Sequence, residues 1–426
     1  MGLGLLGRGV GDARFLAQCG AELIVTDLKS EAELADSLAQ LKEFKNITYH
    51  LDGHSIEDFR NRDVIIKAAG VPLDSPYIAE ARKSGIPVRM SADLFAQLSG
   101  AVIVGVTGTR GKSTVTHLIA HILKTAGHHV LLGGNVRGIS NLELLPEVRS
   151  DSIAVLELDS WQLQGFGEAG LSPHVAVFTT FMPDHLNYYK NSMEAYFADK
   201  ANIFMHQGID DFLIVGAQAA PFIKEYGYQP AIKAHMTVVS GSDVPLPWRL
   251  KIPGEHNRYN AASSLAAARV LGIEEEHSKQ GIESFEGVEG RLQLVKEING
   301  VKVYDDTTAT VPEATIAGLH ALGEKKNIIL ILGGADKGLA MGELLKEIPK
   351  YCKKVLLLEG TGTDRIKNDL RDIMIYHNVA DAVKDAFKMA QPGDILLFSP
   401  AFASFGMFKN EYDRGDQFNA AIQSIG

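Results

Sequence analysis

The segment Gly105-Val-Thr-Gly-Thr-Arg-Gly-Lys-Ser-Thr114 holds the residue types that grip a phosphate. Gly108 and Gly111 let the backbone curl until its N–H groups point at phosphate oxygens, Lys112 supplies a cation, and Ser113 offers a hydroxyl to Mg²⁺. Thr109 and Thr114 complete the nucleotide-facing stretch. The strict pattern wants glycine where Val106 stands, so this is a variant phosphate loop of the form T-G-T-x-G-K-S. The bland alternative is a glycine-rich turn with an accidental lysine. An apolar run before it and a helical pattern after it argue for the phosphate loop.

Further donors follow along the chain. In Val155-Leu-Glu-Leu-Asp-Ser-Trp-Gln-Leu163 an apolar strand delivers Glu157, an oxygen ligand suited to Mg²⁺ if it stands beside the phosphate loop. Pro183-Asp-His185 ends another apolar strand, and Lys200 sits in Tyr196-Phe-Ala-Asp-Lys-Ala-Asn-Ile-Phe204. Taken singly, these are a surface glutamate, a structural histidine and a solvated lysine. Near the N-terminus, Gly7-x-Gly9-x-Gly11 and then Asp27 outline a dinucleotide-type site with the acid at a ribose. A ligand-free tight turn is the alternative. The literal G-x-G-x-x-G over 2–7 is a weak match, because a strand over 3–6 would enclose Gly4. Ile331-Leu-Gly-Gly-Ala-Asp-Lys-Gly338 and Ser399-Pro-Ala-Phe-Ala-Ser-Phe405 each follow an apolar strand, at the sheet edge where α/β proteins bind ligands. There Lys337 and Ser404 can hold a small carboxylate.

The elements that must position these groups repeat one pattern: short apolar run, glycine turn, amphipathic helix. Strands are expected over 3–6, 21–26, 64–67 and 86–89, with a turn over 7–11 and a helix over 12–19. A second set is expected over 101–106, 129–132, 153–158, 175–179 and 212–215, with a helix over 261–271. A third covers 292–298, 302–304, 327–332, 354–358 and 394–398. The fold class is therefore α/β in three consecutive domains over 1–92, 93–288 and 289–426. The first and last are expected to be Rossmann-like, and the central one a phosphate-loop ATPase-like parallel sheet.

Composition excludes other classes. The chain has 426 residues, 46% hydrophobic and 22% charged, which suits globular domains and not disorder. A net charge of −10 argues against nucleic acid as a partner. No apolar run approaches a membrane span, and no charged leader opens the sequence. Cys19 and Cys352 form no metal or redox motif. The cytoplasm is the expected compartment.

In order, these segments resemble the Mur ligase family, in the branch that adds glutamate to UDP-N-acetylmuramoyl-L-alanine. The family's T-G-T-N-G-K-S appears at 107–113 with Arg110 for asparagine, and its E-L-S-S-F-Q-L at 157–163 with Asp159 and Trp161 substituted. Its S-M-E-x-Y-x-x-A-K-x-x-I-F lies at 192–204 with Asp199 in place of the alanine before the lysine, G-x-H-N-x-x-N at 254–260, L-G-G-x-D-K-G at 332–338 and S-P-A-x-A-S-F at 399–405. The resemblance covers all three expected domains.

It implies an ATP-dependent ligase, expected as a monomer, with UDP-N-acetylmuramoyl-L-alanine and glutamate as substrates. Lys112 would contact ATP phosphates. Ser113 and Glu157 would bind one Mg²⁺, and His185 a second. Lys200 matches the lysine that the family carbamylates into a metal ligand. Lys112, His185 and Lys200 form the implied catalytic group. Asn257 and Asn260 would lie near the adenine, with Arg291 and Asp306 completing the nucleotide site. Gly9, Asp27, Asn135 and Gln162 would bind the UDP-muramoyl substrate, and Thr310, Lys337 and Ser404 the incoming glutamate. Three departures stand out: Thr308 replaces a lysine, Thr180 an asparagine, and Gly290 a histidine. Outside this branch, a folate-type glutamate ligase, an NAD-dependent oxidoreductase and a non-catalytic nucleotide-binding regulator are the competing classes.

Overall fold

The computed structural model describes every residue except Leu6, Lys325 and Gly426. The chain forms two compact units, one of Met1–Pro245 with Tyr259–Ile282, the other of Leu246–Arg258 with Glu283–Gly426. Among the described residues no helix is long and apolar enough to cross a membrane. Cys19 is exposed and Cys352 buried, and both are free thiols.

The first unit opens with the helix Arg8–Gln18 and two parallel strand pairs. Strand β1 (Leu23–Thr26) pairs with β2 (Ile47–His50), and β3 (Ile65–Ile66) with β4 (Val88–Arg89). The strand expected over 3–6 is absent from the described part of that span, and Leu6 lies outside it. Gly2, Gly4 and Gly7 take φ of +81°, +69° and +84°, which interrupts an extended run. Gly7 caps the helix, which starts at Arg8. The expected turn over 7–11 is thus mostly helix, and the glycine turn is Gly2-x-Gly4-x-x-Gly7.

A six-stranded, wholly parallel sheet follows. Its strands are β5 (Val102–Thr107), β6 (Val130–Gly134), β7 (Ile153–Glu157), β8 (Val175–Phe178), β9 (Phe212–Gly216) and β10 (His235–Val239), in the order β10-β9-β8-β5-β7-β6. Every residue of β7 and β8 is buried, as expected for strands covered on both faces. Strand β10 was not expected. It is an edge strand, mostly exposed, and its His-Met-Thr-Val-Val run lacks the continuous apolar character of its neighbours.

The second unit holds β11 (Gln293–Ile298), β12 (Val301–Asp305), β13 (Ile328–Gly333), β14 (Cys352–Leu358), β15 (Met374–Tyr376) and β16 (Ile395–Phe398). Their order is β11-β12-β16-β13-β14-β15, with only β11 antiparallel to its neighbour. Separate apolar clusters built around Leu330 and Ile331 cover the two faces. The helix expected over 261–271 runs instead over Glu255–Val270, so Asn257 and Asn260 are helical.

Candidate active site

Strand β5 lies between β8 and β7, so the loops after these three strands emerge side by side. The loop after β5 holds the segment expected to be the phosphate loop. Gly108 and Gly111 have φ of +141° and +86°. A Cβ on the first would collide with Thr179 Oγ1, and on the second with Asn260 Oδ1. A side chain at either position would collide, so the loop keeps glycine at both. The loop is laced to the segment after β8: Thr109 N–H donates to Thr180 O (2.7 Å), Arg110 N–H to Thr180 Oγ1 (2.9 Å), and Thr179 Oγ1 to Arg110 O (2.6 Å). Ser113 and Thr114 begin the helix Lys112–Thr125, whose N-terminal end carries the positive pole of the macrodipole.

Two lysines converge on one carbonyl. Lys112 Nζ donates to Gly108 O (3.1 Å) and Thr109 O (3.3 Å), while Lys200 Nζ donates to the same Gly108 O (3.0 Å). Lys200 comes from the helix Met193–Ala201, started by Ser192 accepting from Ala195 N–H (3.1 Å). Its side chain is 1% exposed and lies 4.8 Å from the Tyr196 ring centroid. Burial, then the nearby Lys112 charge, holds its amine well below the usual lysine range. Such an amine spends more time unprotonated, and hence nucleophilic, than a surface lysine does.

Glu157, buried, closes β7 in register with Val106 of β5. His185 adopts φ +53°, rests on Trp161 with ring centroids 4.7 Å apart, and feels both lysines. Burial pulls its imidazole below the usual range, so the neutral, metal-binding form is favoured. Among the described residues no three His, Cys, Asp or Glu side chains gather into a ready-made metal site. The Ser113 hydroxyl and the Glu157 carboxylate are oxygen donors of the type Mg²⁺ takes, and the His185 imidazole can ligate a metal, whereas Lys200 as an amine supplies no oxygen. That ion keeps several waters and takes phosphate oxygens alongside one or two protein carboxylates.

The first-unit residues expected at the UDP-muramoyl substrate are engaged within the fold. Asp27 accepts from the Gly4 and Lys29 N–H groups, both at 3.0 Å, so its carboxylate shapes the glycine turn. Gly9 lies in the helix against Leu3 O, where a side chain would not fit. Asn135 N–H donates to Glu157 O (2.7 Å), and its amide oxygen accepts from Arg8. Gln162 is the third residue of the helix Ser160–Ala169 and forms a capping box with Asp159. The Asp159 substitution supplies that cap.

In the second unit, β12, β16 and β13 are neighbours, and the loops after them meet. Ala335 and Ala403 exchange backbone hydrogen bonds at 2.9 and 3.1 Å, which sets the Lys337 loop beside the Ser404 loop. Lys337 Nζ donates to Thr310 Oγ1 (3.1 Å), and Ser404 is buried close by in sequence to the Ala403 rung. Thr310, Lys337 and Ser404 are thus on adjoining loops. Asp306 accepts from Leu292 N–H (3.0 Å) and Ser399 Oγ (2.7 Å), with Arg291 lending it positive charge. Asn257, on the segment of helix in this unit, donates to Pro253 O (2.7 Å).

Comparison with known proteins gives matches along the whole chain. The Mur ligase MurD-like N-terminal domain model covers residues 1–90, the Mur ligase middle domain 106–239, and the Mur ligase glutamate ligase domain 290–402. A UDP-N-acetylmuramoylalanine–D-glutamate ligase of Roseiflexus sp. (strain RS-1) is 37% identical, across 100% of this chain and 98% of that protein. This chain belongs to the Mur ligase family. A protein of the same name from Borreliella burgdorferi (strain ZS7) is 36% identical over 100% of this chain and 97% of its own length. Among solved structures, the UDP-N-acetylmuramate-alanine ligase MurC of Thermotoga maritima shares the fold at a TM-score of 0.65. It is 20% identical, over 100% of this chain and 98% of that chain.

Two of the departures from the Mur ligase pattern touch one another. Thr308 donates to Gly290 O through its Oγ1 (2.8 Å) and its N–H (3.1 Å). Replacement of the family's lysine and histidine therefore leaves a small, neutral, hydrogen-bonded pair. Thr180, the third departure, clamps the phosphate loop.

Several groups escaped the motif reading. Arg110 Nη1 bonds Asp184 Oδ2 (2.8 Å), tying the phosphate loop to the residue before His185. Arg414, fully buried, donates to Thr307 O (2.7 Å) and Phe402 O (3.0 Å), joining the Asp306 and Ser404 loops. Its only sequence signal was a charged residue within a helix, which alone says nothing about burial.

Asp305 and Asp306 are adjacent, buried carboxyls, each pushed up to about 7, chiefly by desolvation. With folded values above unfolded ones, the folded state binds more protons between about pH 4 and 7. Their contribution to stability is full below about pH 4 and is lost as pH rises through 7. The urea midpoint for the second unit should therefore fall between pH 5.5 and 8, and Asp305→Asn should flatten that slope in a fluorescence-monitored titration.

Proposed function

We propose that this Mur ligase is an ATP-dependent enzyme that joins D-glutamate to UDP-N-acetylmuramoyl-L-alanine through an acyl phosphate, in peptidoglycan precursor synthesis. The observation that carries the reading is the convergence of Lys112 and Lys200 on Gly108 O in the phosphate loop. Full-length relatives named for that reaction support the substrate assignment.

The substrate carboxylate attacks the γ-phosphorus of ATP, and ADP departs. The glutamate amine then attacks the acyl carbon, and phosphate leaves in place of the much poorer hydroxide. Lys112 offsets charge on the moving phosphoryl group. Ser113, Glu157, His185 and a carbamylated Lys200 would hold two Mg²⁺ ions, which supply further charge stabilisation. Gly108, Thr109, Gly111 and Thr114 serve the phosphates. Asn257, Asn260, Arg291 and Asp306 serve the rest of the nucleotide. Gly9, Asp27, Asn135 and Gln162 serve the UDP-muramoyl substrate, the last two as much by shaping the loop as by contact. Thr310, Lys337 and Ser404 receive glutamate. We assign domain boundaries near residues 92 and 288, and place the enzyme in the cytoplasm as a monomer.

Phosphate release from ATP with UDP-N-acetylmuramoyl-L-alanine, compared with D-glutamate, L-glutamate and no amino acid, tests the reading. Stimulation by the D isomer alone is the expected result. Stimulation by L-glutamate alone would reassign the acceptor, and stimulation by neither would remove the ligase reading. Lys337→Ala should raise the KM for glutamate by about 10–100-fold, the loss of one charge-assisted hydrogen bond, with a smaller change in kcat.

A further inference from the structure

Gly9 and Gly11, which the sequence places in a glycine turn, lie inside the helix Arg8–Gln18 and need another reason to lack a side chain. A Cβ at Gly9 would collide with Leu3 O, and one at Gly11 with Ser140 Cβ. The helix therefore meets Ser140 at backbone distance, and Gly11 is a docking position.

Polar bonds run along the same face. Arg8, Gly11 and Asp12 are three and four residues apart, which sets them side by side on a helix. Arg8 Nη1 donates to Asn135 Oδ1, Ser140 Oγ to Asp12 Oδ1 (2.7 Å), and Arg14 Nη1 to Glu143 Oε1 (2.8 Å). The stretch 135–143 that receives these bonds is closed at its base, where Gly134 N–H donates to Asn141 Oδ1 (2.6 Å). Its first residue is also tied to the sheet, because Asn135 N–H donates to Glu157 O (2.7 Å). Asn135 thus has its backbone held by β7 and its side chain by the helix.

The bond from Arg8 decides which way the Asn135 amide faces. A guanidinium carries only donors, so the amide must meet it with oxygen. The Nδ2 group is then turned to the other side. Among the described residues it donates to no acceptor, and it is not sealed from solvent. Without a neighbour of fixed polarity, an asparagine can turn its amide over and offer oxygen or nitrogen alike. With Arg8 in place, it offers nitrogen.

We infer that Arg8 is a positioning residue, which holds the Asn135 amide so that its Nδ2 donor faces an acceptor oxygen of the UDP-muramoyl substrate. Asp12 and Ser140 keep the loop on the same helix. The arrangement selects for an acceptor at that point of the ligand and against a donor, which would meet Nδ2 with like polarity. The inference rests on the proposed function for the identity of the substrate.

The test measures binding of UDP-N-acetylmuramoyl-L-alanine by calorimetry, without ATP or glutamate. It compares the parent chain with Arg8→Ala, Arg8→Lys, Asn135→Ala, Asn135→Asp and the double variant Arg8→Ala/Asn135→Ala. Arg8→Ala is expected to weaken binding by about tenfold, the share of one hydrogen bond, and Arg8→Lys, which keeps a donor, by less. Asn135→Asp retains the contact with Arg8 but puts an acceptor where Nδ2 was, so it should bind at least as poorly as Asn135→Ala. The double variant should bind no more weakly than Asn135→Ala alone, because Arg8 acts through that amide. Additive losses in the double variant, or parent-like binding by Asn135→Asp, would overturn the inference. So would an Arg8→Ala variant with a lowered thermal midpoint and unchanged affinity, which would make the helix face a packing contact only. Side-chain amide resonances of the ligand-free, ¹⁵N-labelled chain separate this inference from the substrate reading. The Asn135 NH₂ pair, identified by its loss in Asn135→Asp, should shift in Arg8→Ala and much less in Arg14→Ala. No shift in Arg8→Ala would overturn the contact itself. A parent chain that binds no UDP-muramoyl compound, with the shift present, would uphold the contact and overturn the substrate reading.

Discussion

Alanine at position 112 should cut glutamate-stimulated phosphate release by about 10³-fold or more, while the thermal midpoint stays within a few degrees. The Lys112 ammonium rests on Gly108 O and Thr109 O, inside the glycine loop that the proposed function assigns to the phosphates. On the proposed function that charge would offset the negative charge of the phosphoryl group in transfer. The neighbouring cation cannot substitute. Arg110 is turned away to Asp184 at 2.8 Å, and it holds the segment leading to His185. Arg110→Ala should accordingly cost far less, about tenfold, by loosening that segment. Measurement of kcat and KM for ATP in both variants separates the two roles. Near-normal turnover by Lys112→Ala would remove the phosphate loop from the active site.

The strand, glycine loop and helix around Lys112 were legible in the sequence because their signals are local. Two glycines, a lysine and a serine at fixed spacing between strand and helix leave few alternatives, and Gly108 and Gly111 occupy positions where a Cβ would collide. The buried strands β7 and β8 were legible because each is one unbroken apolar run. The helix start at Arg8 was not. Apolar Leu3 and Leu5 give the glycine turn that precedes it the pattern of a strand and hide the interruption made by Gly2 and Gly4. Nor could spacing reveal Arg414, which reaches residues more than a hundred positions away in sequence. Gln162 and Asp159 show a different limit: the motif gives no sign that the two residues also form a capping box at the start of a helix. The meeting of Thr308 with Gly290 is of the same kind, since two apparently separate losses are one local rearrangement.

Lys200→Met should abolish ligase activity, by about 10³-fold or more, without lowering the stability of the protein. The position is 1% exposed, and the lysine there is held with its ammonium close to that of Lys112, both donating to Gly108 O. Desolvation and like charge both disfavour the protonated form, in that order of size of cause from burial to Lys112. The folded-state value thus lies below the unfolded one, and between the two the unfolded chain binds more protons. Stability contributed by this group is complete above the ordinary lysine range and is lost as pH falls toward the folded value. Methionine fills a similar volume, needs no desolvation, and should flatten that slope, so its thermal midpoint at pH 7 should match or exceed that of the parent. On the proposed function, the same depressed basicity would let the amine attack CO₂: its lone pair would form the N–C bond as one C=O π bond opens onto oxygen, one proton would pass from nitrogen to solvent, and a carbamate anion would replace a potential cation. In ¹³CO₂-equilibrated protein, a carbamate resonance present in the parent and missing from Lys200→Met is the expected signature. A variant that loses activity and also unfolds early would mark Lys200 as a packing residue. A variant that keeps its activity would leave the convergence of two lysines on one carbonyl without a catalytic meaning.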